Sequence, residues 1–490
     1  MLFIPNEPQI NGKRPIGEYE IIPPDYSVTI NGKTCPVREC RVSAIPFNCI
    51  WPGHQRDKSQ SERAYFITFN ADEPVNITVK CLREFKTAVV RPLSKKIETE
   101  RIGDTVQFTL TQNGNYVFEL DDFHFALHIF YNKINKYPEK ENSTYYFGPG
   151  VHKPLLLNLK SNESVYIDPE AIVFTTVYAE NAENIRIFGG GILDNSCQER
   201  IDDTCLGNYP IGNIRMYNCR NITIEDVILK DSANWVCALF NCKDVVIDNI
   251  KIIGQWRYNT DGIDLTNSSN VKIKNSFIRS FDDSICIKAA NGHTVCEDFE
   301  IENCVLWCDW GKTLEIGLET AADEYRNIYY KNCDLIHNSN GALAISNGNY
   351  AEIHDIFYEN INIELQDYIR EQVYQEYDAM EYKDNGKTFV PYAIKISNLK
   401  MSLSYNEVFA DERDAKPGYT HDIHFKNILI FCDSGIIPSI YLHSYSPDAV
   451  LENVYIENLV VNDEKVTALA NLDITSENTR DIFLDAQKQL

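Results

Sequence analysis

Asn221-Ile-Thr-Ile-Glu-Asp226, Asp244-Val-Val-Ile-Asp-Asn249 and Asn270-Val-Lys-Ile-Lys-Asn275 are successive copies of one short pattern. Each begins with Asn or Asp, alternates apolar and polar residues, and ends on a second Asn or Asp five positions later. Asp298-Phe-Glu-Ile-Glu-Asn303, Asn327-Ile-Tyr-Tyr-Lys-Asn332 and Asp355-Ile-Phe-Tyr-Glu-Asn360 continue it, with further copies at 422–427 and 453–458. The intervals from 221 to 355 are 23, 26, 28, 29 and 28 residues. Period-two alternation marks strands with one buried face, and a repeat of this length marks the turns of a stacked solenoid. Stacking sets equivalent residues ~4.8 Å apart. Asn249, Asn275, Asn303, Asn332 and Asn360 are therefore expected to line one corner, their amides bonding from turn to turn. The expected fold is all-β, a right-handed parallel β-helix.

A second strand follows in each turn. Ile263 and Leu265, Ile285 and Ile287, Leu314 and Ile316, and Leu343 and Ile345 are expected to point inward. Asp264, Cys286, Glu315 and Ala344 then point outward on one sheet face, where a solenoid can offer a groove to a chain-like ligand.

Residues 1–145 lack the repeat. Runs such as Arg63-Ala-Tyr-Phe-Ile-Thr-Phe-Asn70 and Pro74-Val-Asn-Ile-Thr-Val-Lys80 predict a separate N-terminal β-sandwich. The β-helix is expected over 146–463, with an insertion at about 364–421 and a terminal cap or tail at 464–490. Tyr368, Tyr374, Tyr377 and Tyr382 in the insertion suit a lid, a sugar-stacking wall, core packing or a subunit contact equally well.

The chain has 46 basic and 71 acidic residues, a formal charge of −25. Such a surface repels phosphate backbones and argues against a nucleic-acid partner. No apolar run has the length of a membrane span or the form of a signal peptide. The fifteen cysteines, several inside strand-like runs, suit small buried hydrophobes better than disulfides. Paired CxxC spacing is missing, so no metal or other cofactor is expected. These features place the protein in the cytoplasm and leave room for a homo-oligomer.

Asn259-Thr260-Asp261-Gly262 and Phe281-Asp282-Asp283-Ser284 precede the outward-facing strand in successive turns. Asp261 stands 21 residues before Asp282, close to one turn, so the three side chains should meet. Grouped carboxylates repel one another, which raises at least one pKa and supplies a proton donor beside an ionised base. Glycoside hydrolysis needs that pair, an acid for the leaving oxygen and a base for water.

These two motifs resemble the polygalacturonase-type glycoside hydrolases and the related dextranase–isopullulanase group, over roughly residues 145–460. The resemblance implies that Asp282 is the general acid and that Asp261 and Asp283 activate water in one inverting displacement. It also implies a β-sandwich ahead of the helix.

Two departures bear on the substrate. Pectinases carry Gly-His-Gly before the next groove strand, where this chain has Trp310-Gly311-Lys312, so Lys312 replaces the histidine. Their outward Arg-Ile-Lys, which binds the uronate carboxylate, is Ala344-Ile345-Ser346 here. Loss of those charge-assisted contacts favours an oligo- or polysaccharide of neutral sugars. Asp264, Glu315, Glu319, Lys288, Lys312, Trp256 and Trp310 are the expected substrate-binding residues. Three alternatives are a polygalacturonase-type hydrolase, a β-helix lyase acting on uronates, and a non-catalytic glycan-binding β-helix.

Overall fold

The computed structural model describes residues 1–8, 24–44, 61–200, 209–290, 294–376, 379–400 and 416–490, except for the side chains of 368–389. The four insertion tyrosines therefore lie outside the described side chains. Thirty-two strands, from Tyr145–Phe147 to Gln487–Lys488, form one continuous hydrogen-bonded stack. It is a parallel β-helix.

Each turn has three faces. The groove face runs through Ile214–Tyr217, Cys237–Phe240, Ile263–Thr266, Ile285–Ala289, Lys312–Thr320, Gly341–Asn347, Tyr392–Asn398 and Ser439–Ser444. The repeat pattern forms the second face, for example Arg220–Glu225, Lys243–Asp248 and Ser269–Lys274. A third face holds Ile228–Lys230, Lys251–Ile253, Phe277–Ser280, Val305–Cys308 and Asp334–His337.

The Asn and Asp at both ends of the pattern have a backbone reason. Asn221 and Asp226, Asp244 and Asn249, and Asn270 and Asn275 all adopt positive φ, between 50° and 64°. Asn and Asp tolerate that conformation better than other side-chain-bearing residues. The corner ladder is formed in part. Asn360 donates to Asn332 at 3.0 Å, Asn427 to Asn360 at 2.9 Å and Asn458 to Asn427 at 2.9 Å. Asn275 and Asn332 turn instead to the carboxylates of Asp248 (2.7 Å) and Glu302 (3.1 Å) in the preceding turn.

The interior is the inward half of the alternation. Ile263, Ile285, Leu314, Leu343 and Ile394 pair in register, as do Leu265, Ile287, Ile316, Ile345 and Ile396. All are at most 1% exposed, and full burial of each such side chain is worth ~1.5–3 kcal/mol. Cys219 with Cys242, and Cys304 with Cys333, occupy the same apolar core on successive turns.

The 67 residues between Asp355 and Asp422 are one turn with insertions, because Ile356 pairs directly with Ile423. Tyr392–Asn398 is the groove strand of that turn. Tyr368–Glu376 and Ala379–Phe389, which precede it in the chain, form an antiparallel two-stranded ribbon. At the far end Asp473–Glu477 and Thr479–Leu484 add to the stack, and Gln487–Lys488 closes the edge antiparallel.

The N-terminal strands form a six-stranded and a five-stranded sheet around a shared apolar core. Ser61–Ala71 is buried on both faces from Ala64 to Phe69. Tyr65, Ile67 and Phe69 enter the sandwich core. Ala64 and Phe66 pack instead with Ile228, Ile253, Phe277, Val305 and Trp307 of the third face. The sandwich thus covers the back of the turns that carry Asp261, Asp282 and Asp283.

Candidate active site

Register delivers the outward residues to one floor. Arg215, Ala238, Asp264, Cys286, Glu315, Ala344, Lys395 and Tyr441 form one column, each paired with the next. Tyr217, Phe240, Thr266 and Lys288 form a second column beside it. Asp261, Asp282 and Asp283 stand at its edge, where the chain turns into the floor strands.

One carboxylate oxygen from each of Asp261, Asp282 and Asp283 lies within 4.8 Å of the other two. The residues are 2%, 7% and 8% exposed, so the trio is largely withdrawn from water. Glycines permit this closeness. A Cβ on Gly262 would meet the Ser284 carbonyl oxygen at 2.3 Å. A Cβ on Gly311 would meet the Asp283 amide nitrogen at 2.4 Å and Asp282 Oδ1 at 2.6 Å. The Asp283 amide donates to Asp282 Oδ1 (3.0 Å), and the Lys312 amide donates to Asp283 Oδ1 (2.8 Å).

Two lysines supply countercharge. Lys288 Nζ is 2.9 Å from Asp261, 3.0 Å from Asp264 and 3.9 Å from Asp283. It also lies 4.2 Å above the Trp235 ring, a favourable place for a cation. Lys312 Nζ is 3.0 Å from Glu315. Asp264 and Glu315 face the groove as expected but are fully buried. They hold the two lysines, Asp264 at 3.0 Å from Lys288 and Glu315 at 3.0 Å from Lys312.

Burial, reinforced by the charges of Asp261 and Asp283, pushes the Asp282 carboxyl well above its ordinary range. Burial also raises Asp261, to about 6, against the pull of Lys288. Asp264 is raised by burial in the same way. Burial opposes the charge on Lys288, but Asp261 and Asp264 outweigh it and keep the ammonium protonated. A site so arranged keeps Asp282 protonated beside Asp261, which ionises more readily, the condition for general acid and base work. The same three aspartates have the number and closeness of a cation site, but here Lys288 already neutralises Asp261.

The other expected residues divide. Glu319 follows a bulge after Ile316, and its charge acts on both Asp261 and Lys288. Trp310 is partly exposed and lies parallel to Phe281, with centroids 6.2 Å apart. Trp256 is closed in, its indole nitrogen donating to Asp231 (3.1 Å) and Arg257 lying over its ring at 5.0 Å. It is a packing residue and not an open sugar platform, because its polar edge is spent on the Asp231 turn.

Several groove residues escape a reading of the motifs alone. Tyr178, Tyr217, Trp235 and Phe240 form an aromatic cluster upstream of the acids, with the Arg215 guanidinium 4.8 Å from the Phe240 ring. Arg200 donates to the Tyr258 carbonyl and the Asn259 side chain, gripping the loop that carries Asp261. The Ile-Arg-Met-Tyr and Cys-Ala-Leu-Phe strands at 214–217 and 237–240 carry the same inward alternation as Ile263–Thr266. Aligned with it, they would have placed Arg215 and Phe240 on the floor.

The sequence model of the glycosyl hydrolases family 28 matches residues 156–433. The chain belongs to family 28. An exopolygalacturonase of Oenothera organensis is 31% identical over 170 residues, covering 32% of this chain and 44% of that protein. A polygalacturonase of Gossypium barbadense is 28% identical over 262 residues, covering 49% and 58%. The chain spans about half the length of the curated relatives it matches. The fold is shared with a hyperthermoactive exopolygalacturonase from Thermotoga maritima (TM-score 0.52, 16% identity, 71% of this chain and 86% of that one). It is also shared with Dex49A from Penicillium minioluteum (TM-score 0.53, 13% identity), an alignment covering 99% of this family 28 chain and 93% of that one.

Proposed function

We propose that the protein hydrolyses glycosidic bonds in a galacturonate-containing oligo- or polysaccharide, with Asp282 as general acid and Asp261 and Asp283 as the bases for water. The observation that carries this reading is the buried aspartate trio, its oxygens within 4.8 Å of one another and the Asp282 carboxyl pushed up beside them. In hydrolysis Asp282 gives its proton to the leaving glycosidic oxygen. A water held by Asp261 and Asp283 attacks the anomeric carbon and passes a proton to one of them.

The neutral-sugar expectation rested on Ala344 and Ser346. Family 28 membership and the polygalacturonases among the relatives weigh for the uronate alternative.

We retain single displacement with inversion, as the family resemblance implies. The trio is closer than the ~6.5–9.5 Å usual between acid and base in inverting enzymes, so the stereochemistry needs a direct test. Proton NMR of the first-formed sugar should show the anomer opposite to the substrate, and the same anomer would exclude inversion. The substrate class is tested by incubation with oligogalacturonides and neutral α-gluco-oligosaccharides, followed by chromatography. Cleavage of the galacturonides to saturated products is expected. Cleavage of the neutral sugars alone would reverse the substrate assignment, and an unsaturated product absorbing in the ultraviolet would replace hydrolysis by elimination.

A further inference from the structure

Behind the acids, where the third face meets the sandwich, the chain buries a pair of opposite charges. Arg279 and Asp309 are both fully buried, with Arg279 Nη2 3.5 Å from Asp309 Oδ1. Ile278 enters the solenoid core, while its neighbour Phe277 packs against the sandwich, so the alternation turns Arg279 towards the sandwich as well. Trp307 is its register partner on the next turn, and the guanidinium lies 3.7 Å from the centre of that ring. Apolar side chains of similar volume often replace a buried ion pair without loss of stability. A pair kept in such a place points to what it positions.

Both partners stand at the root of a segment that shapes the acid site. Asp282 follows Arg279 by three residues, and the intervening Ser280 hydroxyl donates to the Asp282 carbonyl at 2.6 Å. Gly311 follows Asp309 by two residues and lies against Asp282 and Asp283. The backbone ties the two roots together. The Asp309 amide donates to the Ser280 carbonyl (3.1 Å) and the Trp310 amide to the Phe281 carbonyl (2.7 Å). The other arm of the guanidinium reaches the sandwich, Nη1 donating to His128 Nε2 at 3.4 Å. His128 Nδ1 in turn donates to the Tyr65 carbonyl at 2.8 Å. Burial, helped by the Arg279 charge, holds the imidazole neutral with its pKa lowered to about 3, so Nε2 carries the lone pair that accepts.

We propose that Arg279 is a positioning residue: through its contacts with Asp309 and His128, the docked sandwich sets the placement of Asp282 and Asp283 on the groove side of the same turns. This rests on the reading of Asp282 as the acid. The sandwich then serves the reaction as well as covering the third face.

The test compares His128→Asn and His128→Gln with the unaltered protein. An Asn side chain can still donate to the Tyr65 carbonyl from near the Nδ1 position but is too short to meet Arg279. A Gln amide oxygen reaches the place of Nε2. On the oligosaccharide that the unaltered protein cleaves, galacturonide or neutral, kcat of His128→Asn should fall about tenfold or more, because small displacements of reacting groups cost up to about a hundredfold in rate. KM should stay within about threefold, the mark of an interaction felt in the transition state alone, and His128→Gln should recover most of the rate. A crystal structure of His128→Asn should show Gly311 and the Asp282 carboxylate displaced. An unmoved trio, a His128→Asn kcat equal to the original, or a His128→Gln protein no faster than His128→Asn would each overturn the proposal. Asp282→Asn measured alongside separates the two claims. If it loses turnover while His128→Asn does not, the acid assignment stands and the positioning role falls. If Asp282→Asn keeps its turnover, the acid assignment falls and the positioning role falls with it.

Discussion

The Lys288 ammonium stands 2.9 Å from the Asp261 carboxylate, reaching it from the next turn of the groove floor. Its charge restrains the rise of the Asp261 pKa that burial drives. Removing it with Lys288→Met should leave Asp261 protonated to higher pH. The acid limb of kcat/KM against pH should then move upward by about one unit or more. An unmoved limb would mean that Asp261 does not govern that side of the profile.

The unaltered protein should show a bell-shaped profile. Asp261 must be ionised to accept a proton, so activity should fall as pH drops below about 6. Asp282 must be protonated to donate, and its raised pKa keeps it so beyond the ordinary carboxylate range. The alkaline limb marks its ionisation, with both limbs belonging to the coupled trio and not to isolated groups. A profile flat from pH 4 to 8, measured as kcat/KM, would contradict these assignments.

Gly311 should tolerate no side chain. The methyl group of Gly311→Ala would fall 2.6 Å from both Asp282 Oδ1 and Asp283 Oδ1, so the acids must shift. A displacement near 1 Å at reacting groups costs on the order of a hundredfold in rate. The variant should lose activity by about that factor, with a circular dichroism spectrum like that of the unaltered protein. Activity within a few-fold of the original would show that the trio tolerates looser placement.

The joint between sandwich and solenoid is built on buried charge. Arg91 binds Glu119 at 2.7 Å and also pairs with Glu364, and both carboxylates are 2% exposed. Arg91→Met would take the guanidinium from two buried acids, leaving Glu119 to His337 (2.5 Å) and Glu364 to the Leu93 amide (2.6 Å), a change worth up to about 3–5 kcal/mol. Thermal unfolding should show a clear fall in stability. An unchanged midpoint would mean that His337, the Leu93 amide or water makes up for the lost guanidinium.

The fold was legible because its constraint recurs. A residue at positive φ on both sides of each second-face strand demands Asn or Asp, as at Asn270 and Asn275, and that demand writes the period into the sequence. Asp261, Asp282 and Asp283 were legible as a group for the same reason, being one turn apart. The lysines were harder to place. Nothing in the local sequence shows that Glu315 is fully buried under Lys312, or that Lys395 reaches back across a turn to Asn340. Such contacts depend on which side chains lean along the stack, and alternation alone is silent on that. The docking of the sandwich was equally hidden. The apolar stretch from Ala64 to Ile67 was its one trace, because Phe66 and Ile67 serve different cores.

The central claim is that Asp282 donates the proton, and the most direct measurement is the turnover of Asp282→Asn on an oligogalacturonide, with binding measured in parallel. An amide of the same shape cannot act as the acid. The account predicts that kcat falls about a hundred- to ten-thousand-fold while the oligogalacturonide still binds. An Asp282→Asn protein that binds and turns over within tenfold of the original would contradict it.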